Sequence, residues 1–257
     1  MTCWNLAEAT YQHILDTQPF EVAVLPLGAT EPHNLHLPYS TDTLQVARLG
    51  ELACRAAAEQ GARVLLLPAL PYGTETNQMH FPFAMNLNPT TVAAVVTDLV
   101  RSLEQHGIRK LVLLNGHGGN DLKWLLRQIY GTTSVHAFLC NWYKVAQDHY
   151  KSCLVDAGDH AGELETSMML AHYPELVHLK AADPGDTAAS RFRAVRDGWV
   201  EITRPWHLLT TNSGAGDPSP STAEKGHALS KIIVERLSQF LNELSLSPLD
   251  DKFPFES

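Results

Sequence analysis

A three-layer α/β/α sandwich around a mostly parallel central sheet is the fold this sequence predicts, and two observations carry the prediction. Short apolar runs rich in Val and Leu alternate four times with longer stretches of helical period, the pattern of strands buried on both faces by covering helices. Histidines and carboxylates collect just after those runs, at the carboxyl strand ends where open α/β sheets bind ligands.

Residues 22–28 read as the first strand, followed by a helix over 42–60 with Leu44, Ala47, Leu52 and Ala56 on its apolar face and Gly61 as its stop. Residues 64–67 are the second strand, 89–105 a helix opened by Pro89 and ended by Gly107, and 111–115 the third strand. A helix over 120–130, a strand over 135–141 and a helix over 161–172 stopped by Pro174 complete the alternation. Residues 183–220 are richer in Pro, Gly and Ser, and 200–203 and 207–210 read there as strands of a peripheral hairpin. Ser221-Thr222-Ala223-Glu224 has the form of a capping box, and Leu229, Ile232, Ile233, Leu237, Phe240 and Leu241 give the closing helix its apolar stripe. The chain is expected to be a single domain over residues 1–245 with a tail at 246–257.

With 257 residues, 44% of them apolar, the chain is long enough to bury a sizeable core. Asp and Glu outnumber Lys and Arg by 28 to 19, and a net charge of −9 argues against nucleic acid or an anionic membrane as a partner. No apolar run approaches the roughly 18 residues that span a bilayer. The four cysteines include no C-x-x-C pair, and the N-terminal residues lack a basic and then apolar leader. A cytoplasmic protein with reduced thiols is the expectation.

Thirteen histidines pose the question of which do chemistry. After the first strand, Glu31, His33, His36 and Asp42 lie within twelve residues in a loop held by prolines. The bland alternative is a polar loop in which Asp42 caps the next helix. After the third strand, glycines isolate His117 in Asn115-Gly116-His117-Gly118-Gly119-Asn120 and allow close backbone approach. After the fourth, His160, Glu163 and Glu165 enter a helix, where acidic residues also complement the dipole. Imidazoles and carboxylates without thiolate clusters suit zinc, manganese or iron(II).

Taken together, Glu31-x-His33 with His36-Leu37-Pro38 and Asp42, the strand-three motif ending in Asn120, His160-Ala-Gly-Glu163-x-Glu165-Thr-Ser, and Gly216-Asp217-Pro218 with Glu224-Lys225-Gly226 resemble the creatininase (creatinine amidohydrolase) family. The motifs stand in that family's order across about residues 22–240. The resemblance implies a metal-dependent amidohydrolase, a homohexamer, holding two divalent ions, zinc foremost with manganese or iron(II) as alternatives. Water activated between the ions would attack a small-molecule amide. Carried over, Glu31 and His117 bind one ion, His33 the other, and Asp42 bridges them. In creatininase the position two after the strand-three histidine is acidic; here it is Gly119, and Glu163 is expected to take that place. His160 is the expected acid/base group. His36, His80, Gly118, Trp142 and Glu165 are expected beside the substrate or behind the ligands. His13, His106, His136, His149, His172, His178, His207 and His227 belong to no constellation.

Several positions that serve creatinine in that family differ. The tyrosine after the strand-three histidine is Gly118, a tryptophan four residues before the H-x-G histidine is Asp156, and F-P-G-T in the loop over 73–87 becomes Phe81-Pro82-Phe83-Ala84. The expected substrate therefore shifts from creatinine toward linear amides and formamides. Arg191, Arg193 and Arg196 read as a solvated face or, more sharply, as a clamp for an anionic substrate group. A metal-binding scaffold without turnover is the competing class, and a serine hydrolase lacks its G-x-S-x-G.

Overall fold

A computed structural model describes residues 3–256. The chain runs α1 (Tyr11–Thr17), β1 (Val22–Leu27), α2 (Thr41–Glu59), β2 (Val64–Leu66), α3 (Pro89–Gln105), β3 (Lys110–Asn115), α4 (Lys123–Ile129), β4 (His136–Asn141), α5 (Trp142–Val145), α6 (Tyr150–Cys153), α7 (Glu163–His172), α8 (Arg193–Arg196), α9 (Trp206–Leu209) and α10 (Ala223–Leu246). The four strands form one parallel sheet in the order β2-β1-β3-β4. Val24 stands opposite Leu66 on one side and Val112 on the other, and Leu27 and Asn115 are paired at the carboxyl edge.

Strand periodicity divides the core into two layers. Val22, Val24, Val112 and Leu114 pack with Val46 and Leu49 of α2, Met168 of α7 and Leu229, Ile233 and Leu237 of α10. Ala23, Leu25, Leu27, Leu111 and Leu113 face the other way, against Val92, Val96 and Val100 of α3 and Leu125 of α4. Two apolar faces on one sheet need two covering helix layers, so the three-layer sandwich follows from alternation along the strands. β1 and β3 are buried at every residue, whereas β4, at the edge of the sheet, is half-buried throughout. Among the described residues, no helix is long and apolar enough to cross a membrane.

The sequence-based boundaries need three corrections. The hairpin is absent: residues 200–203 form no strand and Trp206–Leu209 is one helical turn, its first N–H donating to the Asn77 carbonyl at 3.2 Å rather than to a partner strand. The cap of α10 is Thr222, whose hydroxyl accepts from Lys225 N at 3.2 Å, while the Ser221 hydroxyl donates to the Glu163 carbonyl. α1, held by a Thr10/His13 capping box, buries none of its residues, so it offers no apolar stripe to find. Beyond α10 the chain folds back, setting Phe253 edge-on to His136 and Phe138. The buried Lys110 ammonium donates to the carbonyls of Leu244 and Ser247, satisfying acceptors that the helix end leaves open.

Candidate metal centre

The carboxyl ends of β1 and β3, the start of α2 and the entrance to α7 meet at one place. Glu31 and His33 come from the loop after β1, Asp42 from the first turn of α2, His117 from the turn after β3, and His160 and Glu165 from the entrance of α7. Close approach requires glycine at two positions: a Cβ on Gly28 would stand 2.6 Å from Thr43 Cα, and one on Gly116 2.8 Å from the Asp42 carbonyl oxygen. The first turn of α2 is thereby laid against both strand ends. Asn120 ties the floor together, its amide donating to Gly28 O and Asn115 Oδ1 while its oxygen accepts from Thr74 N.

The six side chains converge. Asp42 presents Oδ1 to His33 Nε2 and Oδ2 to His117 Nδ1, each at 3.0 Å. Glu31 Oε1 lies 2.9 Å from His117 Nδ1, 3.7 Å from His160 Nδ1 and 4.0 Å from His33 Nε2. Glu165 Oε2 lies 4.0 Å from His33 Nε2 and accepts from the Ala161 N–H at 2.6 Å. Ala161 has φ of +52°, a left-handed conformation that costs an L-residue roughly 1–2 kcal/mol and here aims its N–H at that carboxylate. Among the described residues, three groups have the donor count and spacing to hold a metal ion: Glu31, Asp42 and His117; His33, Asp42 and Glu165; and Glu31, His33 and His160.

Burial dominates the electrostatics. It pushes the Glu31 carboxyl well above its ordinary range and Glu165 up to about 7, with His33 pulling the latter partly back. Burial acts the same way on Asp42, but His33 and His117 together reverse it and hold that carboxyl well below the usual range. His33 rises to about 10 because Asp42, Glu165 and Glu31 outweigh its own burial, whereas burial beside His33 drives His160 well below its ordinary value. Glu31 Oε1 and Asp42 Oδ2 are buried yet accept no hydrogen bond, although nitrogens lie 3.0 Å away or closer. Such atoms are costly unless something else satisfies them. A divalent ion among these oxygens and imidazoles does so, and a donor set of N and O without thiolates suits zinc, manganese or iron(II). The residues fit such ions.

Above the floor opens a cavity of about 780 Å³, reached by Glu31, Asp42, His117, His160 and Glu165, with Trp206 and Arg204 on one wall. Trp206 meets the His160 ring edge-on at 4.9 Å between centroids, and the Arg204 guanidinium lies 5.0 Å above Trp206 while bonding to Asp159. His160 Nε2 bonds to the Pro32 carbonyl at 2.9 Å, so that nitrogen carries the hydrogen and Nδ1 faces the floor. Gln78 donates to Glu31 Oε2 and accepts from Ser213 Oγ, which also donates to Pro32 O.

Several sequence-based expectations move. Glu163 is wholly buried but turned away from the floor, accepting from Val155 N and Asp156 N and from Lys225 Nζ at 2.5 Å. The carboxylate that joins His33 and Asp42 is Glu165, since two residues along a helix point in different directions. Trp142 is fully buried in the core and does not reach the cavity. His80 is exposed and stacked on His207 at 3.5 Å, outside the cavity lining. His36 bonds through Nε2 to Thr166 Oγ1 at 2.8 Å, beneath the floor. Gly118 does line the cavity, with open space where a Cβ would be. Arg193 pairs with Asp197 and Arg196 bonds to carbonyls of its own segment; none of Arg191, Arg193 and Arg196 lines the cavity, and the arginine that does is Arg204. The motifs do not point to Glu75, Gln78 and Trp206, which line the cavity from distant segments, or to Ser213, which bonds to Gln78 behind it, and none of the four shares their spacing.

A model of the creatinine amidohydrolase family matches residues 7–241. A creatinine amidohydrolase from Pseudomonas putida is 33% identical over 179 residues, 62% of this chain and 66% of its own length, so the match spans just under two thirds of that relative. A mycofactocin precursor peptide peptidase from Mycobacterium tuberculosis is 28% identical over 243 residues, covering 90% of this chain and 88% of that protein. A crystal structure from Bacteroides fragilis NCTC 9343, itself only provisionally described as a creatinine amidohydrolase, superposes with a TM-score of 0.89 at 34% identity, covering 98% of this chain and 100% of that one.

Proposed function

The chain belongs to the creatinine amidohydrolase family, and on that premise we propose that it is a divalent-metal-dependent amidohydrolase cutting a C–N amide bond of a small molecule. The observation that carries the proposal is Asp42, a buried carboxylate whose two oxygens face two different histidines, with a further carboxylate on each side. Glu31, Asp42 and His117 would hold one ion, and His33, Asp42 and Glu165 the other, with Asp42 shared. Bound there, divalent ions supply Lewis-acid polarisation of the scissile carbonyl and acidify a water molecule.

The chain's own residues supply the rest. His160 is neutral at ordinary pH, because burial lowers its pKa, and its Nδ1 lone pair faces the floor while Pro32 O holds Nε2–H. It can take a proton from the attacking water and pass it to the leaving nitrogen. Gln78 and Ser213 fix the orientation of Glu31, and Trp206 shields the outer edge of His160 from water.

A linear or peptide-like amide is favoured over creatinine by the cavity, since about 780 Å³ suits a ligand far larger than one small ring. Gly118 leaves further room at the floor. The similarity to a peptide peptidase over 90% of the chain supports the same preference. We further propose, from the family alone, a homohexamer.

The test is to strip the purified protein with chelator, reload it with zinc, manganese or iron(II), and screen creatinine, N-formyl aminopyrimidines and short linear amides. Two ions per chain and turnover that returns with metal are expected, with a linear amide as the best substrate. Metal binding without turnover on any of them would favour a scaffold, and creatinine as best substrate would reverse the preference.

A further inference from the structure

We propose that Glu75 is a positioning residue that fixes the ring of His117, a role resting on His117 being a metal ligand. Glu75 lies in the loop between β2 and α3, wholly buried, and neither of its carboxylate oxygens accepts a hydrogen bond. Its Oε1 is 2.7 Å from His117 Nε2, and the Thr74 carbonyl lies 3.2 Å from the same nitrogen, in line with its N–H. The opposite nitrogen, Nδ1, is the one turned to Glu31 and Asp42.

A buried carboxylate without donors is costly, so its retention calls for a partner. Among the described residues, His117 is the basic side chain paired with it, at 2.7 Å. Two acceptors around Nε2 hold a hydrogen on that atom, so a cation that takes the place of a proton on Nδ1 finds that nitrogen already turned to the floor. The charge of Glu75 also makes the imidazole a better donor to a cation. The loop can press so close because residue 119 is glycine: a Cβ there would stand 2.2 Å from His117 Nε2 and 2.4 Å from the Thr74 carbonyl oxygen. Asn86, which accepts from Glu75 N at 2.8 Å, anchors the loop from behind.

The experiment compares the wild type with Glu75→Ala and Glu75→Gln. Zinc affinity is read by competition with a chromophoric chelator, and the hydrogen bonding of His117 Nε2–H by long-range ¹H–¹⁵N spectra of histidine-labelled, zinc-loaded protein. Glu75→Ala is expected to weaken one of the two zinc sites about 10–100-fold and leave the other within about threefold. It should also move the Nε2–H proton resonance of zinc-bound His117 upfield and speed its exchange with water, because the carboxylate beside that nitrogen is gone. Glu75→Gln, which keeps an acceptor but loses the charge, should fall between. Unchanged affinity and an unchanged Nε2–H resonance in Glu75→Ala would overturn the proposal, as would equal weakening of both sites together with a lower unfolding midpoint, the mark of a purely structural role. If His117→Ala loses an ion while Glu75→Ala does not, only the role of Glu75 fails; if the wild type binds no divalent ion, the underlying metal site fails with it.

Discussion

At the floor of the cavity Glu31, Asp42 and His117 are buried side chains hung from strand ends and a helix start, whereas the wall opposite is loop, with Arg204 exposed on Trp206 and bonded to Asp159. On the floor, Glu31 Oε1 and Asp42 Oδ2 lie together without hydrogen bonds; on the wall, Arg204 already has its partner. A floor left unsatisfied is suited to a guest that brings positive charge, and a wall already satisfied can vary without cost to it. The difference teaches that chemistry and selectivity are separable here, and substitutions can test that separation.

The largest effect is expected at the shared carboxylate. Asp42→Ala should lose both ions by elemental analysis and cost turnover about 10²–10⁴-fold, the several kcal/mol that Lewis-acid stabilisation provides. Full metal content in that variant would break the picture of a common floor. Next is His160→Ala, expected to lower kcat about 10²–10⁴-fold as a lost acid/base group while metal content stays near that of wild type. Loss of an ion instead would make His160 a ligand, as its grouping with Glu31 and His33 also allows.

The floor was largely legible in the sequence and the wall was not. Glu31, His33 and His117 sit just past strand ends and Asp42 in the first turn of the helix that follows β1, and an alternating α/β chain brings all its carboxyl strand ends to one edge. Trp206 and Ser213 arrive through the segment between α7 and α10, whose helices α8 and α9 are four residues each, too short for a period to constrain direction. Within the floor, the choice between Glu163 and Glu165 turned on helix phase. Both enter α7, but the side that faces Lys225 and the backbone of residues 155–156 takes Glu163. Glu163→Gln should therefore leave both ions bound and cost about 3 kcal/mol of stability in a denaturant titration, because it leaves Lys225 without its buried partner. Glu165→Gln should do the reverse, losing one ion with little change in the unfolding midpoint.

A titration outside the site is a control for both regions. His172, on α7, is held down to about 4 by burial and the nearby Arg48, and its Nε2 bonds to Ser230 Oγ of α10 at 3.0 Å. The folded state therefore keeps it neutral between about pH 4 and its ordinary value near 6.5, where the unfolded chain protonates it. Unfolding takes up a proton in that window, so stability is lost as pH falls through it, by about 1–2 kcal/mol after allowance for solvent. Denaturant midpoints of metal-free protein across pH 4–7 should show a slope that His172→Gln flattens. An unchanged slope would assign the acid sensitivity to the floor.

The smallest effect is expected on the wall, and it decides whether the separation holds. Arg204 bonds to Asp159 and lies over the face of Trp206, a cation–π pair worth about 0.5–1 kcal/mol at an exposed site. Arg204→Ala should therefore change KM by a few fold, in a direction set by the charge of the substrate, and leave kcat and metal content alone. An anionic substrate would lose affinity and a neutral one would barely notice. If kcat fell as well, two short paths lead to His160: one through Trp206, 4.9 Å away between ring centroids, and one through Asp159, its neighbour in the chain. Trp206→Phe, which keeps an aromatic edge against that histidine, should then restore kcat in part relative to Trp206→Ala. Recovery of that kind would make wall and floor a single device, with the aromatic ring as the part that joins them.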